Sequence, residues 1–569
     1  MLLCRVLHSS LVAFFGVKIV SMAKAFKVPL IISSSLLPLV SFLAMAEKAP
    51  DGGGVMQDIK IRKVPVAPQS IADPLTTINS TAAKKAVGGV TVTVTKFRFT
   101  GNTMLRESQL IAELEPFMAR PVTFDELESA AARVAEVYRQ EGWVARAFFP
   151  PQDVQSGIVE IGIVEAIFGE THLGGEESPR IRSQRLIAMV NTQQKKGLPI
   201  NSKALDKALR RMNELPGVVV KGVLNAGQNA GETDLILNIT ESPAIAGNIA
   251  VDNTGSKFTG AERVVATVLL NSALGYGEQI SATALYSQGT KFTQLGGTLP
   301  VGVSGWRVGS HISALSYDVG EEFGALGVFG SSTEIGVDAS YPLMRSRAKN
   351  MSLLLSYNNE SYKNNAASVS TDYRVNAFDA SLSGYFFDKY GGVNQASVAL
   401  ISGSVDDVNE IDIHGGFNKV RYRFNRQQRL TDTSSFFGNV SGQWAANNLS
   451  SSEQFSLGGV SAVRAYAASA GSGDSGQLLN LELRLSLPYN LSATGFYDFG
   501  KITVAQTPIS NNQVVNSYTL KGAGITGAWQ SALGYSIKAT VAAPLGNISE
   551  DLVSDSSDYR FWLQAGKSF

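Results

Sequence analysis

The segment YRFWLQAGKSF, residues 559–569, alternates with a period of two. Tyr559, Phe561, Leu563, Ala565 and Phe569 fall on one face, which Lys567 interrupts. Arg560, Trp562, Gln564, Gly566 and Ser568 fall on the other. The chain stops inside a strand, on an aromatic residue, with no tail behind it. That ending suits a barrel whose last strand must pair with its first. The alternative is the closing strand of a soluble sheet. The residues upstream decide between them.

From Gly247 onward the same period recurs. Ile335, Val337, Ala339 and Tyr341 oppose Glu334, Asp338 and Ser340. Val420, Tyr422 and Phe424 oppose Lys419, Arg421 and Arg423. Leu479, Leu481, Leu483, Leu485 and Leu487 oppose Asn480, Glu482, Arg484 and Ser486. Alternation alone also describes a soluble sandwich. Two features favour a membrane. The apolar faces often end in Tyr or Phe, as an interfacial girdle requires. So many one-faced strands would also need an enormous soluble core, whereas a sheet closed in lipid needs none. At roughly 20 residues per strand with its share of the connections, ~9–11 of them in the tilted spanning part, the chain from Gly247 to Phe569 gives about 16 strands, so residues 242–569 predict a membrane β-barrel of about 16 antiparallel strands. An even count puts both chain ends of the barrel on the periplasmic side.

The N-terminus reads as a secretory address. Lys24 and Lys27 precede an apolar run, Val28 to Leu43, and Ala44-Met45-Ala46 supplies small residues for cleavage after Ala46. Residues 1–46 are therefore expected to be a signal peptide. Translation either starts at Met22 or the signal is extended. Beyond Leu43 no run is long enough for a spanning helix, so membrane insertion must use strands. The only cysteine, Cys4, falls in the leader, which leaves no disulfide. With four histidines, a His/Cys metal cluster is not expected, and a net charge of +1 carries no nucleic-acid footprint. No cofactor is expected.

Residues 47–90 read as a linker with weak periodicity, part of which has the length for a plug helix. Residues 91–165 predict β-α-α-β-β. Val92, Val94, Phe97 and Phe99 open it. Thr123 and Glu126 form a capping box. Leu127, Ala130, Ala131, Val134 and Tyr138 lie on one helical face, and Gly142 ends it. Residues 166–241 repeat the order, with Asn201 capping a helix that Pro216-Gly217 terminates. A repeated module of this size suggests a tandem array.

FRFTGNT at 97–103, PPQ at 150–152 and GIVEIGIVE at 157–165 resemble the first POTRA domain of two-partner secretion transporters. LPGV at 215–218 and AGQNAGETDL at 226–235 resemble the second. DNTGSKFTG at 252–260 resembles the family's first barrel strand, and the terminal Phe569 resembles the end of bacterial outer-membrane barrels. Alternation breaks after Ala446, and a long Ser-, Gly- and Ala-rich connection, residues 446–477, carries VRAY at 463–466. FYDFG at 496–500 places Phe496, Asp498 and Gly500 on one face. The resemblance implies that this loop folds back into the barrel. Arg464, flanked by Val463, Ala465 and Tyr466, is then the loop-tip cation and Asp498 its partner on the wall. Ala465 stands where the family usually has Gly, which raises the prospect of backbone strain.

The fold implied is a membrane β-barrel preceded by two small α+β POTRA domains, in the outer membrane of a Gram-negative bacterium. The function implied is export of a large partner exoprotein, a haemolysin, adhesin or contact-dependent toxin with an N-terminal secretion domain. The barrel assembly machinery and outer-membrane lipid are its other expected partners, and the transporter is expected to be monomeric. The alternatives are a barrel-assembly factor of the same superfamily and a passive porin or receptor. Gly495 to Lys501 matches a phosphate-loop spacing, but Ile502 stands where Ser or Thr must hold magnesium. Gly473-Asp474-Ser475-Gly476 lacks the nucleophile elbow of a hydrolase. No enzyme is expected.

Overall fold

The computed structural model describes residues 51–60, 75–77, 91–154, 156–320, 324–325, 327–366, 369–407, 415–468, 470–507, 515–546 and 557–569. The signal, its cleavage after Ala46 and the choice of start codon lie outside them.

Sixteen strands close into one antiparallel barrel, from Ile245–Asp252 to Arg560–Ser568. Strand alternation sets the two faces. Ile335 and Val337 are 57% and 52% exposed, while Glu334, which precedes them on the opposite face, is 5% exposed. Phe561 and Leu563 likewise face outward, and Trp562 is buried inside. The outer face is thus apolar and the inner face polar, as hydrocarbon outside and water inside demand. The seam pairs Asn248–Asp252 with Gln564–Ser568. Phe569 extends it by exchanging two backbone hydrogen bonds with Gly247, each 3.0 Å.

Two α+β modules precede the barrel. In the first, Lys96–Thr100 runs parallel to Ile158–Glu165, which pairs on its other side with Ala145–Phe148. The long helix is Phe124–Glu141. Thr123 caps it and the Glu126 side chain completes the box. Leu127, Ala130, Ala131, Val134 and Tyr138 are its buried residues, and Gly142 ends it at φ 96°, a left-handed conformation open to glycine at little cost. This module has a core of its own.

A carboxylate ties that module together. Glu165 accepts from the backbone N–H groups of Thr103 and Met104 and from the Tyr138 hydroxyl, each at 2.8 Å, and also from the Thr103 hydroxyl. Partial burial pushes the Glu165 pKa up, but these donors outweigh it and hold the group below its usual range. Because the folded pKa is depressed, the stabilisation is full above the unfolded value and is lost as pH falls through the folded one. The melting temperature of residues 91–166 should therefore stay level from neutrality to about pH 5 and fall below about pH 4. In Glu165→Gln the midpoint should be lower at pH 7 and its acid slope shallower. Equal slopes in the two proteins would remove Glu165 from this role.

The second module carries Ile167–Leu173, helices Ser183–Gln193 and Ser202–Met212, and strands Val218–Ala226 and Glu232–Glu241. Asn201 caps the second helix by accepting from the Ala204 N–H. The sheet has a fourth strand. Leu75–Thr77, from the segment read as linker, pairs in parallel with Gly222–Leu224 at the sheet edge. The linker also contains a helix, Gly52–Lys60, inside the barrel. Its three opening glycines hide it from propensity. Tertiary packing makes it: Val55 and Met56 are 7% and 1% exposed, within a cluster of inward-facing residues that includes Phe292, Tyr317, Tyr362 and Tyr373.

Candidate functional site

The long loop leaves strand Ser434–Ala445 and returns as Ser475–Leu487. Between them the chain lies within the barrel. Leu457, Ala462, Val463, Ala465, Tyr466 and Ala467 pack on Leu478, Phe496, Ile502, Leu520 and Ala542 of the wall. Strand Leu491–Thr503 turns Phe496, Asp498 and Gly500 inward. Gly500 leaves room for the loop: a Cβ there would lie 2.6 Å from Leu457 and 3.1 Å from Val463.

Arg464 and Asp498 are brought together in a bidentate pair. Arg464 Nη2 donates to Asp498 Oδ1 at 2.7 Å and Nε to Oδ2 at 2.9 Å. The Arg464 backbone N–H adds a third bond to Oδ2 at 3.0 Å. Such a fork fixes direction as well as distance. Arg464 is 6% exposed and Asp498 0%, so the pair is not bathed in lumen water and its Coulomb attraction is little screened. Arg464 is not among the described positive-φ residues, nor is Ala465, so the alanine carries no backbone strain. Its methyl packs against Gly522 on the adjoining strand, where a second Cβ would lie only 2.6 Å away. The wall residue at this contact must therefore be small.

Four further groups complete the site. Glu482 Oε1 accepts from Arg464 Nη1 at 2.8 Å. Asn480 donates to Asp498 at 2.8 Å and to the Ala462 carbonyl at 3.0 Å. The Phe496 ring lies 3.6 Å beneath the guanidinium, a cation–π contact. Trp562, on the last strand, donates to the Arg464 carbonyl at 2.8 Å. Glu482 and Asn480 were readable as inward-facing from the leucine alternation, and Trp562 from the closing segment. Nothing in the sequence joined them to Arg464.

The helix Gly52–Lys60 forms a second insert. Lys60 Nζ lies 2.5 Å from Glu360 and 3.3 Å from Glu334 on the wall. At the other end Asp51 accepts from Ser451 of the loop at 2.8 Å, and Gln57 donates to the Gln454 carbonyl. Gly53 fits so closely that a Cβ would meet Ser451 Oγ at 2.3 Å and the Ser452 nitrogen at 2.7 Å. Beside the helix a cavity of about 820 Å³ remains, lined by groups of both signs including His311, Asp379, Arg421 and Lys538. Among the described residues no group of His, Cys, Asp and Glu is arranged to hold a metal.

Taken together, a closed outward-apolar barrel, periplasmic-type modules and an in-folded loop define an outer-membrane barrel with a plugged lumen. The sequence profile of the haemolysin secretion/activation protein ShlB/FhaC/HecB matches residues 231–526, more than half of the chain. The profile of the ShlB-type POTRA domain matches residues 92–166. The chain belongs to this haemolysin secretion/activation family. The heme/hemopexin transporter protein HuxB of Haemophilus influenzae strain 86-028NP is 26% identical over 557 residues, covering 93% of this chain and 97% of that protein. The outer membrane transporter CdiB of Dickeya dadantii strain 3937 is 22% identical and covers 70% of this chain and 74% of its own. The solved structure of CdiB from Escherichia coli superposes with a TM-score of 0.67 at 20% identity, over 90% of this chain and 95% of that one. The protein is an outer-membrane transporter of two-partner secretion, which passes a secreted exoprotein outward, and its POTRA domains stand in the periplasm.

Proposed function

We propose that the two POTRA modules capture the unfolded exoprotein by strand addition and feed it to a barrel held shut by two inserts, the helix and the loop. One observation carries this reading. The second module's sheet takes up an extended segment, Leu75–Thr77, from a distant part of its own chain. A client strand can use the same backbone donors and acceptors, with side-chain pockets adding selectivity. Helix Gly52–Lys60 belongs to the same stretch of chain. A client that displaces Leu75–Thr77 therefore lengthens the tether of the plug. The Arg464–Asp498 pair keeps the loop at the wall while the helix leaves. Folding of the client outside supplies the direction, so the cycle needs neither a nucleotide nor a catalytic group.

The cargo is a large exoprotein of the haemolysin, adhesin or contact-dependent toxin kind, recognised through its N-terminal secretion domain. Phe569, exposed at the end of the seam, is the residue the barrel assembly machinery reads during insertion, and the transporter acts as a monomer. An assembly factor of the same superfamily is the second reading; a longer POTRA array would favour it. Deletion of residues 91–241 tests the reading. The barrel should still insert and become heat-modifiable, while the partner disappears from the medium. Export at an undiminished level by that deletion would exclude capture by the modules.

A further inference from the structure

The second module meets the periplasmic rim of the barrel through arginines. Arg185, on helix Ser183–Gln193, donates through Nη2 to the carbonyls of Pro300 and Gly302 at 3.1 and 2.5 Å. Arg307 donates to the Glu214 carbonyl at 3.2 Å and to Thr298 at 3.0 Å. Arg345 pairs with the Glu214 carboxylate and also bonds Asn350 and Ser352. Arg211, near the end of helix Ser202–Met212, points at the same turn: its Nε would be 3.4 Å from a Cβ on Gly305. Arg211 is 5% exposed, and its Nε has no hydrogen-bond partner among the described residues. The Arg185 Nε is equally unpartnered.

Four guanidinium groups thus share one joint with the carboxylate of Glu214, and with Asp338 standing against Gly309 on the adjacent strand. A joint that merely closed on itself would pair its charges, because an unpaired cation held away from water is strongly disfavoured. Carbonyl acceptors answer for Arg185 and Arg307 in part, but not for Arg211. The excess charge and the unused donors call for an anion with several oxygens. Guanidinium forks match the phosphate group best. Position points to its source. The rim strands expose Leu299, Val301, Leu343 and Met344 outward, and Trp306 lies tilted against Tyr341 with ring centroids 4.9 Å apart. An aromatic pair at the end of an apolar band marks the level of the headgroups.

We propose that this joint is an anion site that takes a phosphate group, supplied by an inner-leaflet phospholipid, with Arg211 and Arg185 as its principal donors. The bound phosphate fixes the second module beneath the rim.

The test compares amide exchange of residues 203–215 and 300–307 in the full-length protein under three conditions. These are a phosphate-free sugar detergent in chloride, the same with millimolar inorganic phosphate, and nanodiscs of phosphatidylethanolamine with phosphatidylglycerol. Exchange in both segments should slow several-fold in nanodiscs. Slowing in nanodiscs alone assigns the lipid headgroup, and slowing with inorganic phosphate as well assigns the phosphate group itself. Arg211→Gln should erase the response, while Lys221→Gln, a charge lost elsewhere on the module, should keep it. No slowing in wild type under either phosphate condition, or an undiminished response in Arg211→Gln, overturns the proposal. The wild-type titration decides even where the variant folds poorly.

Discussion

Arg464→Ala will leave the barrel inserted and lower partner export to about a hundredth of wild type or less, as the size of a broken buried pair requires. The substitution removes the guanidinium from Asp498, which is fully buried and keeps only two neutral donors, the Asn480 amide and the backbone N–H of residue 464. Removing one partner of a buried pair costs ~3–5 kcal/mol. Since about 1.4 kcal/mol is a tenfold change, the loop's wall-bound position is weakened by roughly two to three and a half orders of magnitude. Asp498→Asn should come close to the same loss, because its amide cannot satisfy both guanidinium nitrogens. Glu482→Gln should do less, since Asp498 still holds three bonds to Arg464. Export is read as partner protein in the medium, and insertion as heat-modifiable mobility of the barrel. If Arg464→Ala exports normally, the pair does not position the loop for transport. A graded order, with Glu482→Gln mildest, separates loss of the pair from general damage to the barrel.

What the sequence disclosed follows its physics. Strand period and inward charge were legible because hydrocarbon imposes them residue by residue. Arg464 and Asp498 could be matched by motif, since a loop arginine and a wall aspartate have recognisable surroundings. Two things were not placed. A plug helix was readable only as a possibility somewhere in residues 47–90, because it opens on Gly52, Gly53 and Gly54, and glycine lowers helix propensity. Close contact with Asn364 and Tyr317 of the wall explains Gly52, and contact with Ser451 and Ser452 explains Gly53; these contacts join residues some three to four hundred positions apart. Strand Leu75–Thr77 was hidden for a different reason. Three residues carry no period, and its stability comes from a parallel neighbour far along the chain. The concern over Ala465 was misplaced because the φ at that position is ordinary; the constraint there is space, and Gly522 supplies it.

Lys60→Ala should turn the resting barrel into one that is frequently open. In the closed state Lys60 sits between Glu360 and Glu334, whose side chains are 3% and 6% exposed. Without the ammonium group both carboxylates are held away from water beside a helix that no longer neutralises them. His311, 3.4 Å from Glu334, and Lys419, which attracts Glu360 from the wall, remain among the described residues but do not take the place of an ammonium group between the two carboxylates. When the helix leaves, water reaches both carboxylates, so the substitution favours the open state from the wall side. Loss of ~1–3 kcal/mol, the desolvation penalty of an unpaired group, corresponds to a rise in open probability of roughly tenfold to a hundredfold. Glu360→Gln should act more weakly, because Lys60 keeps Glu334. Gly53→Val should open the barrel from the opposite end, by forcing the helix off Ser451 and Ser452. Single-channel recording in planar bilayers measures all three against a deletion of residues 52–60, which sets the ceiling. Should the deletion conduct freely while Lys60→Ala stays as quiet as wild type, the ion pair is not what retains the helix, and its glycine-lined end must hold it alone.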